Sequence, residues 1–168
     1  MQSEGGGDNP LSSLSKFCHK SEIMHWHASC AARQSQPGGD ALLLLGPSGA
    51  GKSDLLMRLI EGGFTLVADD QVVIQDGMVS PPSALAGLLE VRGLGVFRLP
   101  YVAPARLRLV VSLGQGRAER LPFPQQHASL GVPEIMLDAM HPSAVARVAL
   151  ALDAACGRVS STVGAFAL

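Results

Sequence analysis

Glycine at positions 46, 49 and 51, followed directly by Lys52 and Ser53, is a spacing with chemical meaning. Glycine admits backbone angles that a side chain blocks, so successive amides of Gly46-Pro47-Ser48-Gly49-Ala50-Gly51-Lys52-Ser53 can turn inward onto an anion. The helix expected to begin near Ser53 adds the positive end of its dipole. In such a loop Lys52 reaches the β- and γ-phosphates of a nucleoside triphosphate, and the Ser53 hydroxyl ligates Mg²⁺. Lys52 is the only lysine after Lys20; the remaining positive charge beyond that point is carried on arginine. A solvated surface lysine is therefore a poor reading of it, and ATP with Mg²⁺ is the expected ligand.

Asp69-Asp70 closes the next apolar run, Phe64 to Ala68. An acidic residue at a strand tip beside a phosphate loop holds Mg²⁺ directly or through water. A second adjacent carboxylate exceeds what the metal needs. Since neighbouring strand residues point to opposite sides, one is expected to face metal and the other the acceptor hydroxyl as a general base. Two solvated turn aspartates are the alternative. Glu90, before Val91-Arg92-Gly93-Leu94-Gly95, has the chemistry of a further metal group with Arg92 near phosphate oxygens, or of an ordinary surface ion pair. His27 lies beside His25 and Trp26, where a structural histidine is the default. Arg120 carries no signal from its own surroundings.

These residues need elements to position them. Residues 23–32 have strand character, and 36–40 read as a turn. Ala41 to Leu45 is wholly apolar, as in strands buried on both faces. Leu55, Leu56, Leu59 and Ile60 fall at helical spacing between Ser53 and Glu61, with Gly62-Gly63 as the stop. Asp76-Gly77 is a hairpin turn between Gln71–Gln75 and Met78–Ser80. From Arg106 to Leu113, Leu107, Leu109, Val111 and Leu113 alternate with Arg108 and Ser112, the pattern of one half-exposed strand. His141-Pro142-Ser143 opens a last helix running to about Ala155, with Gly157 as its end. An α/β fold with a mixed sheet follows.

Composition narrows the class. The 168 residues suffice for one substantial core, 47% of them are apolar and 16% charged. A formal net charge of -1 offers no basic stripe for nucleic acid. No apolar run has the length to cross a bilayer, and residues 1–21, rich in glycine and serine, are expected to be a disordered leader. Cys18, Cys30 and Cys156 lack metal-ligand spacing and read as reduced thiols of a cytoplasmic protein.

His27-Ala28-Ser29-Cys30, Gly46 to Ser53, Val67-Ala68-Asp69-Asp70-Gln71-Val72 and Leu89-Glu90-Val91-Arg92-Gly93-Leu94-Gly95 stand in the order of motifs found in HPr kinase/phosphorylases. The chain resembles the catalytic domain of that family, in its short alphaproteobacterial form, over about residues 27–113. The resemblance implies a phosphate-loop (P-loop) kinase domain related to the phosphoenolpyruvate carboxykinase core, here residues 22–157, with 158–168 as a tail. It implies an ATP-dependent serine kinase acting on the phosphocarrier protein HPr, with phosphorolysis of phosphoserine-HPr as its reverse partner reaction, and assembly as homohexamers. By the same resemblance Asp70 takes the seryl proton, and His27 and Arg120 are active-site residues. Lys52 and Ser53 serve phosphate and Mg²⁺, and Glu90 is a second metal residue. Two features depart from the family. No counterpart of its N-terminal domain is expected, and in place of its basic Gly-Arg-Asn element the matching region reads Met140-His141-Pro142-Ser143-Ala144-Val145-Ala146-Arg147. A small-molecule kinase on the same scaffold and a non-catalytic nucleotide-sensing module are the alternative readings.

Overall fold

The computed structural model describes residues 22–34, 38–114 and 119–167. The expected leader, 1–21, lies outside the described residues, as does Cys18. The elements run β1 (Met24–His27), β2 (Ser29–Arg33), β3 (Asp40–Leu45), α1 (Lys52–Glu61), β4 (Thr65–Ala68), β5 (Gln71–Gln75) and β6 (Met78–Ser80). A short 3-10 turn, Ser83–Leu85, leads to β7 (Leu88–Val91), β8 (Gly95–Arg98), β9 (Ala105–Leu113), β10 (Glu134–Leu137) and α2 (Ala144–Ala155). The sheet order is β1-β5-β6-β9-β3-β2-β4, with β10 also paired to β9, and β7 and β8 form a separate hairpin. Pairs β3–β9 and β9–β10 are parallel and the other pairs antiparallel, so the sheet is mixed as expected. Among the described residues, no helix is long and apolar enough to cross a membrane.

The central strand β3 explains its own composition. Flanked by β9 and β2, it sends Leu42 and Leu44 to one core and Ala41 and Leu43 to another. The first core is closed by α1, through Leu55, Leu56 and Leu59, and by α2, through Val148 and Leu152. On the opposite face Val72, Ile74 and Val79 of the β5–β6 hairpin complete the second core with Cys30, Val67 and Val110. Burial there pushes the Cys30 thiol far above its ordinary range, which makes it an inert packing group.

Two sequence expectations need correction. Leu107, Leu109, Val111 and Leu113 do not share a face. Ala41 pairs with Leu107 and Leu42 with Leu109, leaving Arg108 as the extra residue of a β-bulge. An inserted residue flips everything beyond it to the other side. Ala105 and Leu107 therefore enter the second core, while Leu109, Val111 and Leu113 enter the first. Strands β8 and β10 were not anticipated. Strand β8 is exposed along its length, and β10 has buried only Leu137, so neither shows a clean apolar period.

At the end of β3 remote from the glycine loop lies a charge network. Asp40 accepts hydrogen bonds from Arg108 Nε at 2.8 Å and Arg158 Nη1 at 2.6 Å. Asp153, on α2, accepts from Arg158 Nε at 2.7 Å and from Arg33 Nη1 at 3.0 Å, while Arg33 stacks 4.8 Å from the centre of the Phe64 ring. The network ties β2, β3, β9 and α2 to Arg158, a residue of the expected tail. The Arg158 guanidinium holds the Asp153 carboxyl below its usual range, with Arg33 acting the same way against partial burial. A carboxyl depressed on folding contributes stability above its unfolded pKa of about 3.9, and the contribution is lost as pH falls through the lower folded value. Asp153→Asn is expected to lower unfolding free energy by about 1–2 kcal/mol at pH 7. In urea titrations the gap from the parent protein should narrow at pH 3. An equal gap at both pH values would show that packing, and not charge, ties this corner.

Candidate active site

Strand β3 ends at Leu45, and the chain then curls into the loop that delivers Lys52 to the first turn of α1. Gly46 is pressed against its surroundings: a Cβ there would stand 3.0 Å from the Leu113 carbonyl oxygen and 3.1 Å from the Ala50 Cβ. Gly51 precedes α1 in the left-handed region, φ +88°, and a Cβ would meet that of Ala139 at 3.1 Å. Both conformation and space therefore demand glycine. No side chain caps the amides at the start of α1. Those donors are left for a ligand, and the helix dipole points the same way.

Lys52 is 8% exposed, and its Nζ donates to the carbonyls of Gly46 at 2.8 Å and Pro47 at 3.1 Å. The ammonium is thus held over the loop by neutral acceptors that a phosphate oxygen can outcompete, because hydrogen bonds between charged groups are the stronger kind. A cleft of about 450 Å³ opens beside it, lined by loop residues Ser48, Gly49, Gly51, Lys52 and Ser53.

The acidic pair closes the cleft from β4. Asp69 is buried, and its Oδ1 accepts from Ser53 Oγ at 3.0 Å and from Ser29 Oγ at 2.6 Å. Asp70 is exposed, with its Oδ1 3.1 Å from Nδ1 of His27. Both carboxylates line one cleft, contrary to the alternation expected of a strand. The reason is local. Strand β4 stops at Ala68, and Asp70 adopts a left-handed conformation, φ +68°, tied by the Ala28 amide donating to its carbonyl at 3.2 Å. The turn swings the second carboxylate round to the cleft beside the first. Their surroundings still differ: Asp69 faces two hydroxyls, Asp70 an imidazole and solvent.

Glu90 and Arg92 reach the same cleft from the β7–β8 hairpin, both exposed on its rim. His27, left as structural by its neighbours in sequence, also lines it. The structure therefore gathers His27, Ser48, Gly49, Gly51, Lys52, Ser53, Asp69, Asp70 and Glu90, while Gly46, Pro47 and Ala50 supply the loop's backbone. Arg120 is exposed and is not among the residues lining the cleft. Sequence reasoning passed over Ser29, a fully buried hydroxyl between Ala28 and Cys30. Its signals were being polar in an otherwise apolar run and standing within the motif His27-Ala28-Ser29-Cys30.

Residues 38–102 match the family model described as the HPr Serine kinase C-terminal domain. The chain is 37% identical to the HPr kinase/phosphorylase of Aromatoleum aromaticum, with 74% of this chain and 44% of the relative covered. It is 32% identical to that of Clostridium novyi, covering 61% of this chain and 36% of the relative, and 37% identical to that of Bordetella petrii, covering 59% and 38%. The chain spans less than half the length of these curated relatives. Its fold is similar to the structure of the Hpr(Ser) kinase/phosphatase from Coxiella burnetii, with a TM-score of 0.56 and 22% identity over 80% of this chain and 89% of that one.

Proposed function

Because this chain carries an HPr kinase C-terminal domain, we propose that it transfers the γ-phosphoryl group of ATP to a seryl hydroxyl of the phosphocarrier protein HPr. One observation carries the reading: a phosphate loop with its lysine and two differently placed carboxylates share one cleft. In the proposed reaction the loop amides and Lys52 bind the β- and γ-phosphates and neutralise their charge. The seryl oxygen forms a bond to Pγ as the bond from Pγ to the β,γ-bridging oxygen breaks, releasing ADP. The seryl proton passes to the carboxylate of Asp70, which His27 orients through Nδ1. Positioning and charge neutralisation supply most of the rate, since phosphoryl transfer asks for little covalent chemistry from the protein.

The donors also fit Mg²⁺. Among the described residues no three His, Cys, Asp or Glu side chains converge into a ready-made cage. What exists is a hydroxyl and a carboxylate 3.0 Å apart, Ser53 and Asp69, with Glu90 lining the same cleft. Magnesium favours few protein oxygens plus phosphate and water. Ser53 and Asp69 would hold it, and when bound it supplies neutralisation of phosphate charge. With inorganic phosphate in place of ADP, the same residues support phosphorolysis of phosphoserine-HPr: a phosphate oxygen bonds to the phosphorus as its bond to the seryl oxygen breaks, Asp70 returns the proton to that oxygen, and pyrophosphate leaves. The homohexamer implied by the resemblance belongs to the same proposal, and sedimentation equilibrium checks it.

The test is mass spectrometry of purified HPr after incubation with this protein and MgATP. The expected product is HPr carrying one phosphoryl group on serine. Unmodified HPr beside a phosphorylated metabolite from a panel would favour the small-molecule kinase, and binding of ATP with no turnover the sensing module.

A further inference from the structure

The buried hydroxyl of Ser29 has no part in the scheme above, yet it makes one of the shortest contacts in the cleft. Ser29 opens β2, which pairs antiparallel with β4 so that Cys30 lies opposite Ala68. One residue back on β2 and one past the end of β4, Ser29 lies beside Asp69. Residues opposite one another on antiparallel strands share a face. Ser29 and Ala31 pair with Leu44 and Leu42 of β3, which share one face, so Ser29 is on the face of Ala31, which packs into the core beneath α1. A register shift directly after Cys30 keeps this arrangement: beyond it Ala31 pairs with Leu66, so the irregularity is absorbed away from the Ser29–Asp69 end.

Ser29 is fully buried, and its hydroxyl donates to Asp69 Oδ1 at 2.6 Å; Ser53 donates to the same oxygen at 3.0 Å. A carboxylate oxygen bearing two hydroxyl donors is pinned in rotation about its χ2 bond, and neither hydroxyl engages the second oxygen, Oδ2, of this cleft-lining side chain. A hydroxyl from α1 alone would not do this, since the Ser53 oxygen must also turn a lone pair to the cation. Ser29 comes from a different strand and has no such second duty.

We infer that Ser29 is a positioning residue, which locks Asp69 through Oδ1 and thereby reserves Oδ2 for the divalent cation of the bound nucleotide. The inference rests on the phosphoryl-transfer reading for the identity of the ligand, but it concerns cation binding and not the acceptor. Groups one step behind a metal ligand are worth about 10–100-fold in metal affinity or activity. A seryl side chain that merely filled space would leave cation affinity alone.

The experiment titrates Mn²⁺, read by electron paramagnetic resonance, into the protein with a non-hydrolysable ATP analogue. Binding of the analogue without metal is measured in parallel by calorimetry. Ser29→Ala should weaken the cation about 10–100-fold and change metal-free analogue affinity little. Should the alanine variant fail to fold, Ser29→Thr and Ser29→Val form a pair of equal shape in which only the first keeps a hydroxyl. The threonine variant should then bind Mn²⁺ more tightly than the valine variant by a similar factor. Equal Mn²⁺ affinities within that pair, a parallel loss of metal-free analogue binding, or no cation binding by the parent protein would each overturn the assignment. Absence of HPr phosphorylation by a parent protein that passes this titration would count against the substrate and leave Ser29's role standing.

Discussion

Asp70→Asn is expected to reduce HPr phosphorylation by on the order of 10²–10⁴-fold while ATP affinity stays within about twofold of the parent protein. The substitution suits the site unusually well. Asp70 sits at φ +68°, a conformation that asparagine tolerates better than almost any other residue with a side chain. The backbone bond from Ala28 to the residue-70 carbonyl is untouched, and an amide oxygen can still accept from His27 Nδ1. What disappears is the capacity to take the seryl proton. Single-turnover transfer with HPr, beside a calorimetric titration of ATP, separates the two effects. Near-parental transfer by this variant would remove Asp70 from the role of base. A loss of ATP affinity as large as the loss of rate would assign it to binding instead.

Lys52→Ala is expected to weaken ATP binding by roughly 10–100-fold, the scale of one hydrogen bond to a charged group together with the loss of a cation from the cleft. The lysine stem is buried, so part of any loss from alanine would come from packing. Lys52→Met retains the stem and removes the charge, and it should lose nearly as much. Because the attraction is between charges, the deficit should shrink as salt is raised. If both variants bind ATP as tightly as the parent protein in a calorimetric titration, the glycine loop does not hold a triphosphate.

Much of the site could be read before any fold was known, and the reasons are local. A phosphate loop depends on consecutive amides, so Gly46 to Ser53 announces it within eight residues. Strand β3 is legible as an apolar run because both its faces are covered, and α1 because its one buried face repeats at helical spacing. The hairpin between β5 and β6 followed from Asp76-Gly77, where Asp76 takes the positive φ that such turns require.

Other features depend on residues far apart in the chain. Ser29 and Ser53 meet at Asp69 across separations of 40 and 16 residues, and no period in the sequence encodes that meeting. The left-handed turn at Asp70 breaks the strand rule that would have sent the two carboxylates apart. The bulge at Arg108 divides one apparent apolar stripe between two cores, since register is set by pairing with β3 and not by β9 alone. Short-range chemistry and periodicity are written in neighbouring residues and can be read in order. Which hydroxyl meets which carboxylate, and which way a residue past a strand end is turned, come from pairing and packing between segments, and those contacts exist only once the chain has closed on itself.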